Sequence, residues 1–106
     1  MIIYVSHAFG GKQENLERVK KITHDLQVAD LENTYICPLL ALSHLEYGEI
    51  GYEPEMDLCL DLLSVCDKLI VASDLSEGVE REISLAEKLK NSNGEPMEVE
   101  DLEDAE

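Results

Sequence analysis

Three short apolar runs, at residues 2–6 (I-I-Y-V-S), 34–37 (T-Y-I-C) and 69–72 (L-I-V-A), are each followed by a glycine-, proline- or serine-bearing stretch and then by enough chain for a helix. This alternation constrains the fold more than any other feature. Strands that are apolar without a polar alternation are buried on both faces, and helical connections between them lead to a mostly parallel sheet covered on both sides.

The first run enters a turn at residues 7–12 marked by Gly10-Gly11, and Leu16, Val19, Ile22 and Leu26 then recur at helical spacing, predicting a helix over 13–28. The second run stops at Pro38. Residues 39–53 contain Tyr47, Gly48, Gly51 and Tyr52 without firm periodicity and read as a loop or an irregular helical segment. Pro54 suits a first helical position, and residues 56–66 form a helix that is apolar nearly all round. Such a helix is covered on two sides, within the domain or by a second copy, so a homo-oligomer is expected. The third run leads through Ser76 into a helix reaching near Lys90, ended by residues 91–94, and residues 96–99 add a short edge strand. The expected fold is α/β: a small three-layer sandwich with a mostly parallel, Rossmann-like or flavodoxin-like sheet of about four strands.

The 106 residues suit one domain. Charge divides it: 24 acids against 8 bases give −16, and seven of those acids, with no base, lie in residues 95–106. The expected organisation is therefore a domain over 1–94 and an acidic, disordered tail over 95–106. A field of this sign repels nucleic acid and anionic membranes. It also suits a second class of function, an acidic protein that occupies the nucleic-acid channel of a basic host defence enzyme, such as a CRISPR effector. The apolar start, residues 1–5, is too short for a signal peptide, no run approaches the ~20 apolar residues of a membrane span, and a cytoplasmic protein is expected. Cys37, Cys59 and Cys66 form no C-x-x-C pair and read as buried thiols. Neither they nor His7, His24 and His44 show metal-ligand spacing, which leaves a metal site assembled in space undecided; no cofactor is expected.

In open parallel sheets ligands bind beyond the carboxyl ends of the strands, here residues 7–12, 37–45 and 73–82. Gly10-Gly11 can bring backbone N–H groups close to an anion at the start of the first helix. In Ser76-Glu77-Gly78-Val79-Glu80-Arg81-Glu82-Ile83, Ser76 is an N-cap candidate, Gly78 permits close approach to the backbone, and Glu82 lies about a turn inward. An ordinary capped surface helix has the same pattern.

Ile3-Tyr4-Val5-Ser6 with Phe9-Gly10-Gly11, the entry Cys66-Asp67-Lys68-Leu69-Ile70-Val71, and Ser76-x-Gly78-Val79-x-x-Glu82-Ile83 with Ala86 together resemble the nucleoside 2-deoxyribosyltransferase-like superfamily over residues 2–90. The closest likeness is to its short branch found in phages and prophages and to the 2-deoxynucleoside 5′-monophosphate N-hydrolases. The resemblance implies that Glu82 attacks the anomeric carbon and forms a glycosyl ester, passed on to another base or to water. Ser76 stands where the hydrolases have serine and the transferases aspartate, which implies a phosphorylated nucleotide as the small-molecule partner. Ser6, His7, Gly10, Gly11, Lys12, Ser76 and Gly78 would then surround that nucleotide, with Asp57 as the assisting carboxylate on the middle helix. Phe9 departs from the pattern by replacing a phosphate-binding arginine, and Glu77 and Glu80 add negative charge beside the site. A nucleotide-binding domain without turnover is the third reading of the same residues.

Overall fold

A computed structural model describes residues 1–102. Four strands, β1 (Ile2–Ser6), β2 (Thr34–Ile36), β3 (Lys68–Val71) and β4 (Glu98–Asp101), form one all-parallel sheet in the order β2-β1-β3-β4. Tyr4 lies opposite Ile36 on one side and Leu69 on the other, and Leu69 in turn opposite Val99. The helices are α1 (Gln13–Ala29), the single turn α2 (Pro38–Ala41), α3 (Tyr52–Ser64) and α4 (Glu77–Ala86). Among the described residues, no helix is long and apolar enough to cross a membrane.

The chain runs outward from β1 to β2 and, on the other side, from β3 to β4, so right-handed crossovers put α1 on one face and α3 with α4 on the other. Two cores follow. Tyr4, Leu69 and Val71 pack with Leu63, Val79, Ala86 and Met97 under α3 and α4, whereas Val5 and Ala72 pack with Val19 and Cys37 under α1. The alternation of Tyr4 and Val5 between these cores is the pleat of β1 seen in its side chains. Three-layer α/β architecture is thus as expected.

Several boundaries differ from expectation. Pro54 occupies the third helical position of α3, not the first; Gly51 is the N-cap, and a residue without an N–H is tolerated there because first-turn donors have no partner within the helix. The last helix ends at Ala86, and residues 91–94 form a turn that brings Pro96 back to bridge Lys90.

The boundary at residue 94 is also corrected. Met97 is buried, β4 pairs with β3 over 98–101, and Leu102 packs on the α1-side core while its N–H donates to the Val71 carbonyl at 2.9 Å. The strand expected at 96–99 begins two residues later, and the acidic stretch up to 102 belongs to the domain. Residues 103–106 of the expected tail lie outside the described residues.

Asp67 ties the amino ends of the strands together. Its carboxylate accepts the Ile2 N–H at 2.9 Å and the Ser92 N–H at 2.8 Å, while its own N–H donates to the Ile2 carbonyl at 2.8 Å. The Ile2 N–H first, and then Ser92, hold this carboxyl down at about 2.

Candidate functional site

The order of strands reverses between β1 and β3, and a cleft of about 380 Å³ opens at their carboxyl ends, within the range of small-molecule sites. Its walls come from the β1–α1 turn, the start of α2, the Tyr47 loop, the first turns of α3 and the first turns of α4.

Glu82 lines this cleft and is only 5% exposed. It is on α4, whose N-terminus is capped as expected: the Ser76 hydroxyl accepts the Val79 N–H at 3.3 Å. Strand β1 supplies its partners. Ser6 Oγ donates to Glu82 Oε1 at 2.7 Å, and the Tyr4 hydroxyl donates to Oε2. Tyr4 and Ser6 are two apart on a strand and therefore point to the same side, toward α4. Both carboxylate oxygens are consequently fixed by hydroxyls. Burial raises the Glu82 pKa above the ordinary carboxylate range, and the bonds from Tyr4 and Ser6 pull it back only in part. Burial, reinforced by the charge of Glu82, also raises the Tyr4 phenol, so Tyr4 stays a proton donor. The Cys59 thiol, which lines the cleft from α3, is pushed up to about 12, first by burial and then by Glu82. It is a thiol rather than a thiolate nucleophile at neutral pH.

The residues expected at a nucleotide site are mostly brought together. His7, Gly10, Lys12, Ser76 and Gly78 line the cleft with Glu82. His7 is buried, and its Nδ1 lies 2.6 Å from the Ala8 carbonyl oxygen, which can only accept; the ring proton therefore sits on Nδ1. Ser6 acts one layer back, through Glu82. Gly11 does not reach the cleft: φ is +73°, and a Cβ placed there would lie 2.7 Å from the Tyr47 ring, so Tyr47 occupies the space above it. Tyr47 also meets Phe9 edge to face, with centroids 5.5 Å apart.

Asp57 is exposed and lies outside the cleft. On α3 the cleft-facing residues are Glu55, Met56 and Cys59, and a position two residues past Glu55 is turned about 200° away. Glu55 is the acid that α3 contributes. Tyr4, Cys59, Tyr47, Tyr52 and Glu55 were given no role in the site by the sequence. The signal for Tyr4 was present in the i, i+2 spacing to Ser6. Nothing comparable marked the other four.

Arg81 holds α3 against α4. Its guanidinium makes a two-pronged contact with Glu53, 3.0 and 3.2 Å, and lies 5.7 Å from the Tyr52 ring centroid. Tyr52 is thereby positioned near Gly78, where a Cβ would be 3.8 Å from the tyrosine hydroxyl. Among the described residues no group of three or more His, Cys, Asp or Glu side chains is placed to hold a metal ion. No protein-family model, curated protein or solved structure matches this chain.

Proposed function

We propose that the protein cleaves the N-glycosidic bond of a nucleoside or nucleotide, with Glu82 as the nucleophile. The observation that carries this reading is a buried glutamate facing a ligand-sized cleft, both of whose oxygens are oriented by hydroxyl donors from a single strand.

Departure of the base builds positive charge on the sugar ring. A carboxylate next to the anomeric carbon stabilises that charge and captures it as an ester, and water or a second base then attacks the same carbon from the vacated side, giving retention overall. Tyr4 and Ser6 keep the carboxylate from rotating, which is what a near-attack geometry requires. The phosphate contact implied by Ser76 is a finer question than the bond broken.

Incubation with a panel of nucleosides, N-alkylated ones included, and their 5′-monophosphates, followed by chromatography of free base, tests the reading. Release that disappears in Glu82→Gln is the expected result. A 2-fluoro-sugar substrate should leave a glycosyl adduct on the peptide containing Glu82. No base release from any member of the panel would remove the proposal.

A further inference from the structure

We propose that the cleft selects a nucleoside whose base is positively charged, an N-alkylated purine or a pyridinium, over a neutral or phosphorylated one. This rests on the glycosidase reading for its chemistry, though its binding preference stands without it.

The first observation is the sign of the lining. Glu55, Glu77 and Glu82 border the cleft, and Lys12 is the one lysine or arginine among its lining residues. Arg81 is close by but already engaged by Glu53. The N-termini of α1, α3 and α4 would ordinarily attract a phosphate. Here the first turns of α3 and α4 each bring an acid to the cleft, Glu55 and Glu77, whereas Glu14, Glu53 and Glu80 are not among its lining residues. A phosphate dianion entering would meet carboxylates at these helix ends.

The second observation is aromatic. Phe9 and Tyr47 form a T-shaped corner that lines the cleft, and Tyr47 covers Gly11, the backbone that a phosphate would need. Aromatic rings and carboxylates lining one cleft favour a cationic heterocycle by cation–π attraction and charge together.

The third is chemical balance. When the C1′–N bond of a cationic nucleoside breaks, its electron pair goes to the base nitrogen, which leaves neutral and needs no proton. Glu82 supplies the pair that forms the new C1′–O bond, so an anion and a cation become a neutral ester and a neutral base. Water then attacks C1′, the C1′–O bond to Glu82 breaks, and the proton is lost to solvent.

The test has two arms. Calorimetry compares the 1-methylnicotinamide cation with neutral nicotinamide, using wild type, Tyr47→Ala and Glu55→Gln, each checked for folding by circular dichroism. The cation should bind about tenfold more tightly, and either substitution should erode that margin, on the scale of one cation–π contact or one nearby charge. Equal affinities, or a margin untouched by both variants, would overturn the inference. The second arm measures base release from 7-methylguanosine, guanosine and guanosine 5′-monophosphate, each as acceleration over its own uncatalysed rate. Greater acceleration for 7-methylguanosine, lost in Glu82→Gln, supports the inference. Equal or greater acceleration for either of the others refutes it and leaves the glycosidase reading intact. A cation margin without any base release refutes the glycosidase reading instead.

Discussion

Glu82 and Asp67 are both acids buried to under a tenth exposure, one at each end of the same sheet, and their surroundings drive them in opposite directions. At the amino end Asp67 accepts two backbone N–H groups that have no other use for their protons, and its pKa falls to about 2. At the carboxyl end Glu82 accepts two side-chain hydroxyls, yet burial outweighs them and its pKa rises. The first carboxylate is stabilised as an anion by the fold. The second is disfavoured as an anion by its burial, and under the glycosidase proposal a cationic transition state would relieve that penalty.

The linkage to pH separates them further. Asp67, depressed when folded, contributes stability that is present above its unfolded pKa of 3.8 and is lost as pH falls toward about 2. Glu82, raised when folded, contributes in the other sense: its effect favours folding at low pH and is lost as pH rises through the folded value.

The largest expected contrast is in turnover. Glu82→Gln should lower it by about 10⁴-fold or more, the scale on which removal of a nucleophile acts, while leaving the melting temperature unchanged or higher. A variant that keeps its rate would break the contrast at once. Next is Asp67→Ala, which removes the charged acceptor of two part-buried N–H groups and should cost about 1.5–3 kcal/mol. For a domain of this size each kcal/mol is about 4–8 °C in melting temperature, with turnover per folded molecule preserved. If Asp67→Ala melts like wild type, the amino-end network is not holding the strands.

A smaller effect on turnover, read in its pH dependence, is expected for Tyr4→Phe, which removes one hydrogen bond to Glu82. Because that bond lowers the Glu82 pKa, its loss should move the acid limb of the pH–rate profile to higher pH, and an unmoved limb would detach Tyr4 from the ionisation. The smallest is the same experiment on Ser6→Ala, the weaker of the two contributors that lower Glu82, with a shift in the same direction and of lesser extent.

The amino-end strands and α1 were legible because their apolar spacing has one clear period, and the glycine turn and Ser76 motif correctly marked strand ends that converge. Asp57 came from the resemblance rather than from helix phase: Glu53, Asp57, Asp61 and Ser64 recur at spacings of four, four and three and form the exposed stripe of α3, which reading residues 56–66 as apolar nearly all round overlooked. Tyr4 was hidden for a related reason: in an apolar strand its ring reads as core, which it is, and only the fold shows that its hydroxyl reaches Glu82. Composition misled at the end of the chain. Seven acids masked the apolar Met97 and Leu102, and it is these two side chains, with the parallel pairing to β3, that recruit residues 97–102 into the domain.

Strand β4 borders the sheet, and one rim of its backbone is a template onto which a further strand could be added. Three of its four residues are acids, and Lys68 bridges two of them, Glu98 at 2.9 Å and Glu100 at 3.2 Å. Mutual repulsion between two such rims should oppose pairing of copies through β4 at neutral pH. That protection is a function of acidity alone: as the solution approaches the isoelectric point near 4.3, the rim discharges along with the rest of the surface. Self-association through β4, seen as turbidity, should therefore begin at mildly acidic pH while the Asp67 network still keeps each molecule folded.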